Sequence, residues 1–566
     1  MNKCANDKKN RGHRPHKRKF IGNQHVSSRS NSFASSQINK SSFFNNDKVS
    51  YEIINFTAVV EALILFIVCK ECGESIKIKK CFAQGLGFQI KIECEKCEDI
   101  LINSCSAAIN KKKKIYDINS RFIFVMRYLG VGYTGLQTFC GLMDLPVPLV
   151  RRSYDKIIKI ITNATKIICQ FSFKKAVCDE LLNYTNRESL IVSGDGSWRK
   201  RGFQSLHGVA SLIGNFTGKI IDINVKSSYC AGCKLWESEI GTEKYVEWLE
   251  NHETECQKNH EGAAGKMEVD AVIEMFSRSE ETYEVKYKYY IGDGDTKTFK
   301  EILDKKPYGK MFEVHKKECI GHVQKRMGTR LRNAIKLNSN ISGKGKLTNK
   351  LITDLSKYYG MAIRNNSTNI ENMRKAIMAT LYHKSSTDEN PQHQFCPKGK
   401  NTWCKWQKAK FDNNLNNNKH KEPIPSDVKE ILLPIYKDLS KKELLTRCIG
   451  AYTQNSNESL NNMIWKIASK RTFSGQEIVE IASYTAAAVF NDGCQALLAI
   501  LNELNIKIGI RAKMACALIN EKRLSDGNKC VEKRTKSSRI KKRIKQQEES
   551  NADKDVESSF YSCGAN

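Results

Sequence analysis

The chain has no apolar run long enough to cross a bilayer. Its most apolar segment, Val59 to Val68, is interrupted by Glu61 and falls well short of the roughly 20 residues a spanning helix needs, so a buried helix is expected there. The first residues offer no apolar core for a signal peptide either. They carry Lys3, Lys8, Lys9, Arg11 and Arg14, and no secretory leader is expected. Without that route the 21 cysteines do not read as a disulfide framework, because the cytosol and nucleus keep thiols reduced. Their spacing is read for metal instead. Acidic residues are scarce: 61 Asp and Glu face 93 Lys and Arg, a formal charge of +32. Such an excess points to an anionic polymer, since clustered cations gain affinity by releasing counterions from phosphates. Nucleic acid comes first, although an RNA binder, a ribosome-associated protein or a protein on an anionic membrane has the same signature.

At 566 residues the chain exceeds the roughly 250–300 residues that one core can serve, so several domains are expected. Residues 1–50 are rich in Asn, Ser, Lys and Arg, cannot offset their ordering entropy, and read as a disordered basic arm. Its run His16-Lys17-Arg18-Lys19 reads as a nuclear import signal or as a solvated tail. A helix plus a metal-binding module follows at 51–117. A helical block occupies 118–185, where apolar residues recur at helical spacing between Pro146, Pro148 and a long amphipathic run. Within it, GYTGLQTFCGLMDLPVPLVRRSYDKI reads as helix, turn, helix, with Arg151 and Arg152 opening the second helix. That is a helix-turn-helix DNA reader or two packed helices with no DNA role.

The period then switches. SLIVSGDGSW, SLHGVASLIG and GKIIDINVKSS are short, β-rich and separated by turns, as three successive antiparallel strands would be. A helix, a fourth strand (KYKYYIGDGD), another helix and a fifth strand (MFEVHKKE) follow. Strands first, then alternating helix and strand, is the order of an α/β ribonuclease-H-like core, placed at 186–335 with an inserted loop at 228–262. A helical insertion is read at 336–450, a final helical segment of the core at 451–510 and a basic tail at 511–566.

Three sets of Cys and His suggest metal. Cys69-x-x-Cys72 and Cys94-x-x-Cys97 have the pairing of a zinc ribbon, in which each knuckle supplies two thiolates and a hairpin brings the knuckles together. Cys230-x-x-Cys233 with Cys256-x-x-x-His260 suits a three-cysteine, one-histidine structural zinc site, with His252 a competing ligand. The third set, His383, His393, Cys396 and Cys404, has the right ligand types, but the gap between its histidines matches no common finger. Metal and no metal both stand there.

Asp195 closes the first core strand and Asp293 the fourth. Two acids at neighbouring strand ends make a divalent-metal site, although each Asp-Gly taken alone is an ordinary turn. Several ordered blocks, DGSWRKRGF at 195–203, YCAGC at 229–233, NHEGAAGKME at 259–268, YIGDGDTKTF at 290–299, ECIGHVQKRMGTRLR at 318–332 and YTQNSNESLNNMIW at 452–465, together resemble the Mutator-like transposases. The resemblance is particularly to an animal branch with a DGSWxxRG first-Asp motif, and the family resemblance as a whole extends from about 55 to about 510.

The resemblance implies a catalytic triad of Asp195, Asp293 and Glu458, with Asp295 the alternative second acid. It also implies a Cys-x-x-His signature on Cys319 and His322 that braces the active site, and a helical insertion between Asp293 and Glu458. Glu458 is expected to be carried inward by a helix that Asn or Ser caps. The implied activity is cut-and-paste transposition by a nuclear homo-oligomer, with catalytic Mg²⁺ or Mn²⁺, structural Zn²⁺, and transposon ends and target DNA as partners. A domesticated, catalytically idle DNA-binding protein is the alternative. One departure stands out: the zinc finger that plant members carry beyond the Glu is missing here.

Overall fold

Helix α1 (Phe56–Ile64) takes up much of the apolar N-terminal segment. This computed structural model describes residues 50–106, 116–146, 149–185, 189–200, 205–292, 296–399, 402–415 and 419–532. The basic arm, the stretch beyond 532 and the aspartates Asp293 and Asp295 lie outside them. Contrary to the sequence expectation, α1 contains no buried residue, and Phe66 just beyond it is 85% exposed. A three-stranded antiparallel sheet, β1 (Ile76–Gln84), β2 (Gly87–Cys94) and β3 (Ile100–Asn103), is what α1 packs on, and its Phe56 ring meets Phe88 edge-on at 5.3 Å. So small a sheet cannot cover an apolar helix on more than one side.

The β1–β2 hairpin is anchored to helix α2 (Asp117–Tyr128). Asn119 accepts from the Leu86 amide at 2.9 Å and donates to the Gln84 carbonyl at 2.8 Å. Gly85 has φ +61°, and a side chain at Gly87 would collide with the Tyr116 ring, so both glycines are required for the docking. Helices α3 (Tyr133–Leu142) and α4 (Arg151–Leu181) follow. They are the pair read as a helix-turn-helix, but α4 runs for 31 residues and buries a stripe from Tyr154 to Glu180. It is primarily a packing helix.

The main sheet contains β4 (Ser189–Trp198), β5 (His207–Gly214), β6 (Ile220–Ser227), β7 (Lys286–Gly292) and β8 (His315–Glu318), in the order β6-β5-β4-β7-β8. The first three strands are antiparallel; β4, β7 and β8 are parallel. Helices α5 (Ala231–Leu235), α6 (Glu243–His252), α7 (Ala264–Ser277) and α8 (Ser279–Tyr283) lie between β6 and β7, and α9 (Thr296–Lys305) between β7 and β8. Beyond β8 come α10 (Ile320–Leu337), α11 (Asn349–Asn365), α12 (Ile370–Lys384), α13 (Lys405–Phe411), α14 (Ser426–Asp438), α15 (Lys442–Cys448), α16 (Asn455–Ile467), α17 (Gln476–Asp492), α18 (Gln495–Glu503) and α19 (Ile510–Glu532).

Alternation along the strands builds two layers. Leu190, Val192 and Leu212 pack with Ala271, Met275 and Phe276 of α7. On the opposite face, Val209, Ile213 and Val225 pack with α4, α16 and α17. A separate core joins α10, α11, α12, α14 and α15 through residues such as Met327, Leu355, Ile377, Leu432 and Leu445. Thus α10 belongs with the helical region, although the sequence reading placed it in the sheet domain.

The chain divides into two compact units, one of residues 50–52, 492–498 and 507–532 and the other of Ile53–Asn491 with Ala499–Ile506. In the smaller, Asn520 accepts from the Cys494 amide at 2.9 Å and Arg511 pairs with Glu52 at 2.7 Å. The segment from 511, read as tail, is helical to Glu532. Its alanine, leucine, lysine and glutamate content favours that state over a coil.

His207, at the start of β5, is 1% exposed, and neither ring nitrogen has a hydrogen bond among the described residues. Burial, and then the Arg199 guanidinium, push its pKa from 6.5 down to about 4. A histidine kept neutral by the fold stabilises fully above its unfolded pKa and loses that contribution as pH falls toward the folded one. Acidification from pH 6.5 to 4 is therefore expected to cost about 3 kcal/mol through this residue. Urea unfolding of wild type and His207→Phe across that range checks it. An equal pH slope in the two proteins would refute the assignment.

Candidate functional site

The odd-numbered residues of β4 face α16, and the helix is keyed to them by polar side chains. Gln454, just before α16, donates to the Gly194 carbonyl at 2.6 Å. Asn457 accepts from Ser193 Oγ at 2.9 Å, Asn461 donates to Asp195 Oδ2 at 2.9 Å, and Trp465 donates to Ser197 Oγ at 2.7 Å. Positions 457, 461 and 465 recur every four residues, which places them on one stripe of the helix. None of these keys was read from the sequence, although their spacing in NSNESLNNMIW is a polar stripe where an ordinary packing helix would be apolar.

Glu458 sits in the first turn of α16, three residues before Asn461. Residues so spaced are neighbours, with Cβ atoms about 5–6 Å apart, so Glu458 lies beside the group that holds Asp195. It is not carried inward. The buried stripe is Asn457, Leu460, Ile464 and Ile467, and Glu458, one step around the helix, is 60% exposed with Lys325 Nζ 3.9 Å from its carboxylate. Nor is the helix capped as expected, since the N-cap position is Gln454 and its side chain makes no cap bond. Strand β7 lies beside β4, in a parallel register that sets Ser193 opposite Ile291, and its last residue is Gly292. Asp293 and Asp295 follow it in sequence and lie outside the described residues.

Cys319 and His322 bind the same region from the other side. Cys319 is buried before α10. Burial pushes its thiol up, but the side-chain and backbone hydrogen bonds with His322 outweigh that and leave it below its ordinary range. His322 Nδ1 lies 3.0 Å from Gln454 Oε1, so the signature reaches β4 through Gln454. The Ile320 amide also donates to the Tyr452 carbonyl at 2.9 Å. Nearby, buried Glu318 accepts from Arg326 at 2.7 Å and from Arg447 at 3.2 Å, tying the end of β8 to α10 and α15. Of the two arginines expected at the helix-turn-helix, Arg151 pairs with Asp155 at 2.9 Å and Arg152 is exposed at the start of α4.

Three clusters of Cys and His can each hold a metal ion. In a tetrahedral zinc site with Zn–S near 2.3 Å and Zn–N near 2.0–2.1 Å, ligand atoms stand about 3.3–3.8 Å apart. In the first cluster Cys69 and Cys97 sulfurs are 3.8 Å apart and those of Cys72 and Cys94 3.4 Å. In the second, His252 Nε2 is 3.3 Å from both Cys230 and Cys233, and Cys233 is 3.5 Å from Cys256. The fourth member is therefore His252, not His260. The His252 ring is held by stacking on Trp248 at 4.3 Å, and Trp248 stacks on Trp236, whereas the His260 ring is buried with Nδ1 3.0 Å from Asp270.

The third cluster gathers all four expected residues. Nδ1 of His383 and Nδ1 of His393 are 3.3 Å apart, and the Cys396 and Cys404 sulfurs stand 3.5–3.7 Å from them. Around it, His393 Nε2 meets Ser386 Oγ at 3.0 Å and His420 Nε2 at 2.8 Å, and His420 Nδ1 meets Asp388 at 2.5 Å. A second layer that fixes the ring of a ligand histidine is typical of built metal sites.

A family model of Mutator-like transposases matches residues 51–404, more than half of the 566 residues. The chain belongs to the Mutator-like transposase family. No individual curated protein matches it. Membership brings DNA binding and nucleolytic transposition chemistry in general terms. The matched segment of this transposase contains Asp195, Asp293, the Cys319 and His322 signature and all three metal clusters; Glu458 lies beyond it. Among the described residues, no helix is long and apolar enough to cross a membrane.

Replacing His252 by alanine is expected to remove one zinc per chain from this Mutator-like transposase, and replacing His260 to remove none. Metal analysis of the two purified variants decides between the ligands. Retention of zinc by His252→Ala would return the fourth position to His260.

Proposed function

We propose that this transposase cleaves and joins DNA with Asp195, Asp293 and Glu458 on a ribonuclease-H-like core. The observation that carries the reading is the keying of α16 to β4, because it sets the helix bearing Glu458 against the strand bearing Asp195. The strand order, three antiparallel strands followed by two parallel ones, supports the core assignment, with the region of α11 to α15 as the helical insertion.

The donor set suits a hard divalent cation: Asp195, Glu458 and the aspartate after β7 are carboxylates, the ligands that Mg²⁺ or Mn²⁺ prefers. A bound ion of this kind would neutralise the charge that develops on phosphate oxygens. The chain's own side chains set the geometry for this. Asn461 orients Asp195, Gln454 fixes the Gly194 carbonyl beside it, and His322 holds Gln454. Lys325, next to Glu458, offers a cation for the DNA backbone. In the cleavage step water attacks phosphorus at the transposon end and a 3′-hydroxyl leaves; in the joining step that hydroxyl attacks a target phosphodiester and a target 3′-hydroxyl leaves. The enzyme acts in the nucleus, where its DNA is.

The test supplies the element's own terminal sequence, a target plasmid and Mg²⁺ or Mn²⁺. Metal-dependent nicking and joined product are expected. Binding without cleavage by the wild-type protein would overturn the proposal in favour of a domesticated DNA-binding protein.

A further inference from the structure

The third metal cluster carries more aromatic surface than its packing uses. Two tryptophans flank Cys404. Trp406 turns inward: it is half-buried, stacks on the His393 ring at 4.8 Å and has Lys410 Nζ 5.3 Å from its ring centre. Trp403 turns outward and is 55% exposed, with the His383 ring tilted against it at 4.9 Å. An indole needed only to brace His383 would be covered. Phe395, which precedes Cys396 as Trp403 precedes Cys404, is exposed too, and so is Phe411 at the end of α13. The sulfurs of Cys396 and Cys404 lie within 4.8 Å of each other, so a bound ion would fix Phe395 and Trp403 on one knuckle.

Charge indicates what covers these rings. Between His393 and Phe411 the sequence has five lysines and no acidic residue. Lys398, Lys405, Lys408 and Lys410 are exposed, and none has a carboxylate partner among the described residues. Other cations of the helical region are used within the chain, as Arg330 and Lys441 are on Asp438.

Exposed rings among unpaired cations suit a polyanion that also has flat apolar groups, which is a nucleic acid. A duplex meets half of that description, because its bases are stacked on one another and their faces are closed to a protein ring. An unpaired strand offers both, phosphates to the lysines and base faces to the aromatic rings.

We propose that this knuckle is a platform for unpaired DNA bases, with Trp403 the principal stacking ring and Lys405 and Lys408 on the adjoining phosphates. The proposal rests on the reading of the chain as a DNA-cleaving enzyme and deepens it: cleavage frees a strand end whose bases can leave the duplex, and the knuckle takes them.

The experiment measures binding of the zinc-loaded full-length chain, without Mg²⁺ or Mn²⁺, to labelled single-stranded oligothymidine, to oligouridine of the same length and to a duplex of unrelated sequence. Trp403→Ala is expected to weaken oligothymidine binding about 5–150-fold, the range that loss of one stack between a base and an aromatic ring gives. Duplex binding should change less than about twofold, because the lysines remain. Trp403→Phe, which keeps a flat ring, should recover most of the loss. Metal analysis checks that each variant keeps its zinc. Should Trp403→Ala lose it, Phe411→Ala, outside the ligand set, carries the decision by the same comparison. Unchanged oligothymidine binding in the zinc-replete variant, or an equal loss on duplex, would overturn the proposal. Much tighter binding of oligouridine than of oligothymidine would overturn the assignment to DNA. A wild type that binds duplex but not oligothymidine would sink the platform alone, whereas one that binds neither would sink the DNA-cleaving reading with it.

Discussion

Alanine at Asp195 or Glu458 is expected to lower metal-dependent strand cleavage by about a thousandfold or more, with DNA affinity changed little. The magnitude follows from the proposed role: an ion held by these carboxylates supplies several kcal/mol of charge stabilisation in the transition state, and each 1.36 kcal/mol is about tenfold in rate. Affinity responds differently because 93 Lys and Arg are distributed over the chain and binding to phosphate draws on many of them at once. Asn461→Ala provides the graded comparison. It leaves every carboxylate in place and removes only the 2.9 Å bond to Asp195, so a loss of about 10–100-fold is expected, the usual effect of removing an outer partner of a metal ligand. Part of that loss should be recovered at higher Mg²⁺ if Asn461 acts by orienting Asp195. Single-turnover cleavage of end-sequence DNA, with binding measured in parallel, separates the three variants. Full activity in Glu458→Ala would remove Glu458 from the site, and equal loss of binding and cleavage would mean that the variants fail to fold.

The sheet was legible because strand and helix periods differ and because its turns are marked by Gly and polar residues, as around SLIVSGDGSW and GKIIDINVKSS. The metal clusters were legible from ligand type and spacing, but the second revealed only three of its four members. Spacing gives His252 and His260 nearly equal claims; what separates them is the stacking of His252 on Trp248, a tertiary contact. The apolar segment at 59–68 misled for a related reason. Periodicity records which residues favour burial, not whether enough surface exists to bury them, and the small sheet under α1 leaves that helix exposed. At the carboxylates, the proposal of Glu458 rests on the resemblance, since a Glu in a first helical turn has no pattern of its own. The polar stripe of Asn457, Asn461 and Trp465 was open to a sequence reader. An internal polar face on a helix that must pack on a sheet is costly unless each group is paired, and here the partners are the odd residues of β4.

Zinc in the third cluster is expected to hold the loop between α12 and α13 in place, and Cys404→Ala to release it. All four ligand atoms already stand at tetrahedral separations, and the Cys396 thiol, with burial opposed and the His383 ring assisting, holds the Cys404 thiol well below its ordinary range. Thiolate character is what a zinc ligand requires. The surrounding bonds are oriented to the same end: Gln407 donates its amide to the Cys404 sulfur at 3.4 Å and its side chain to the His393 carbonyl at 2.9 Å. Among the described residues the buried apolar cluster here is small, Ala379 with Cys396 and Cys404 against the partly buried Trp406, so a bound ion would add what so small a core does not supply. Structural zinc contributes about 10–16 kcal/mol in small metal-dependent folds, far more than these contacts supply. The wild-type chain should therefore carry three zinc ions and Cys404→Ala two, with new proteolytic cleavage confined to about 385–420 while the main sheet stays protected. Asp388→Asn should keep all three ions but weaken the third about 10–100-fold in a chelator competition, because Asp388 acts on His393 only through His420. Two ions in the wild type, or no new cleavage in Cys404→Ala, would show that side-chain packing holds the loop without metal.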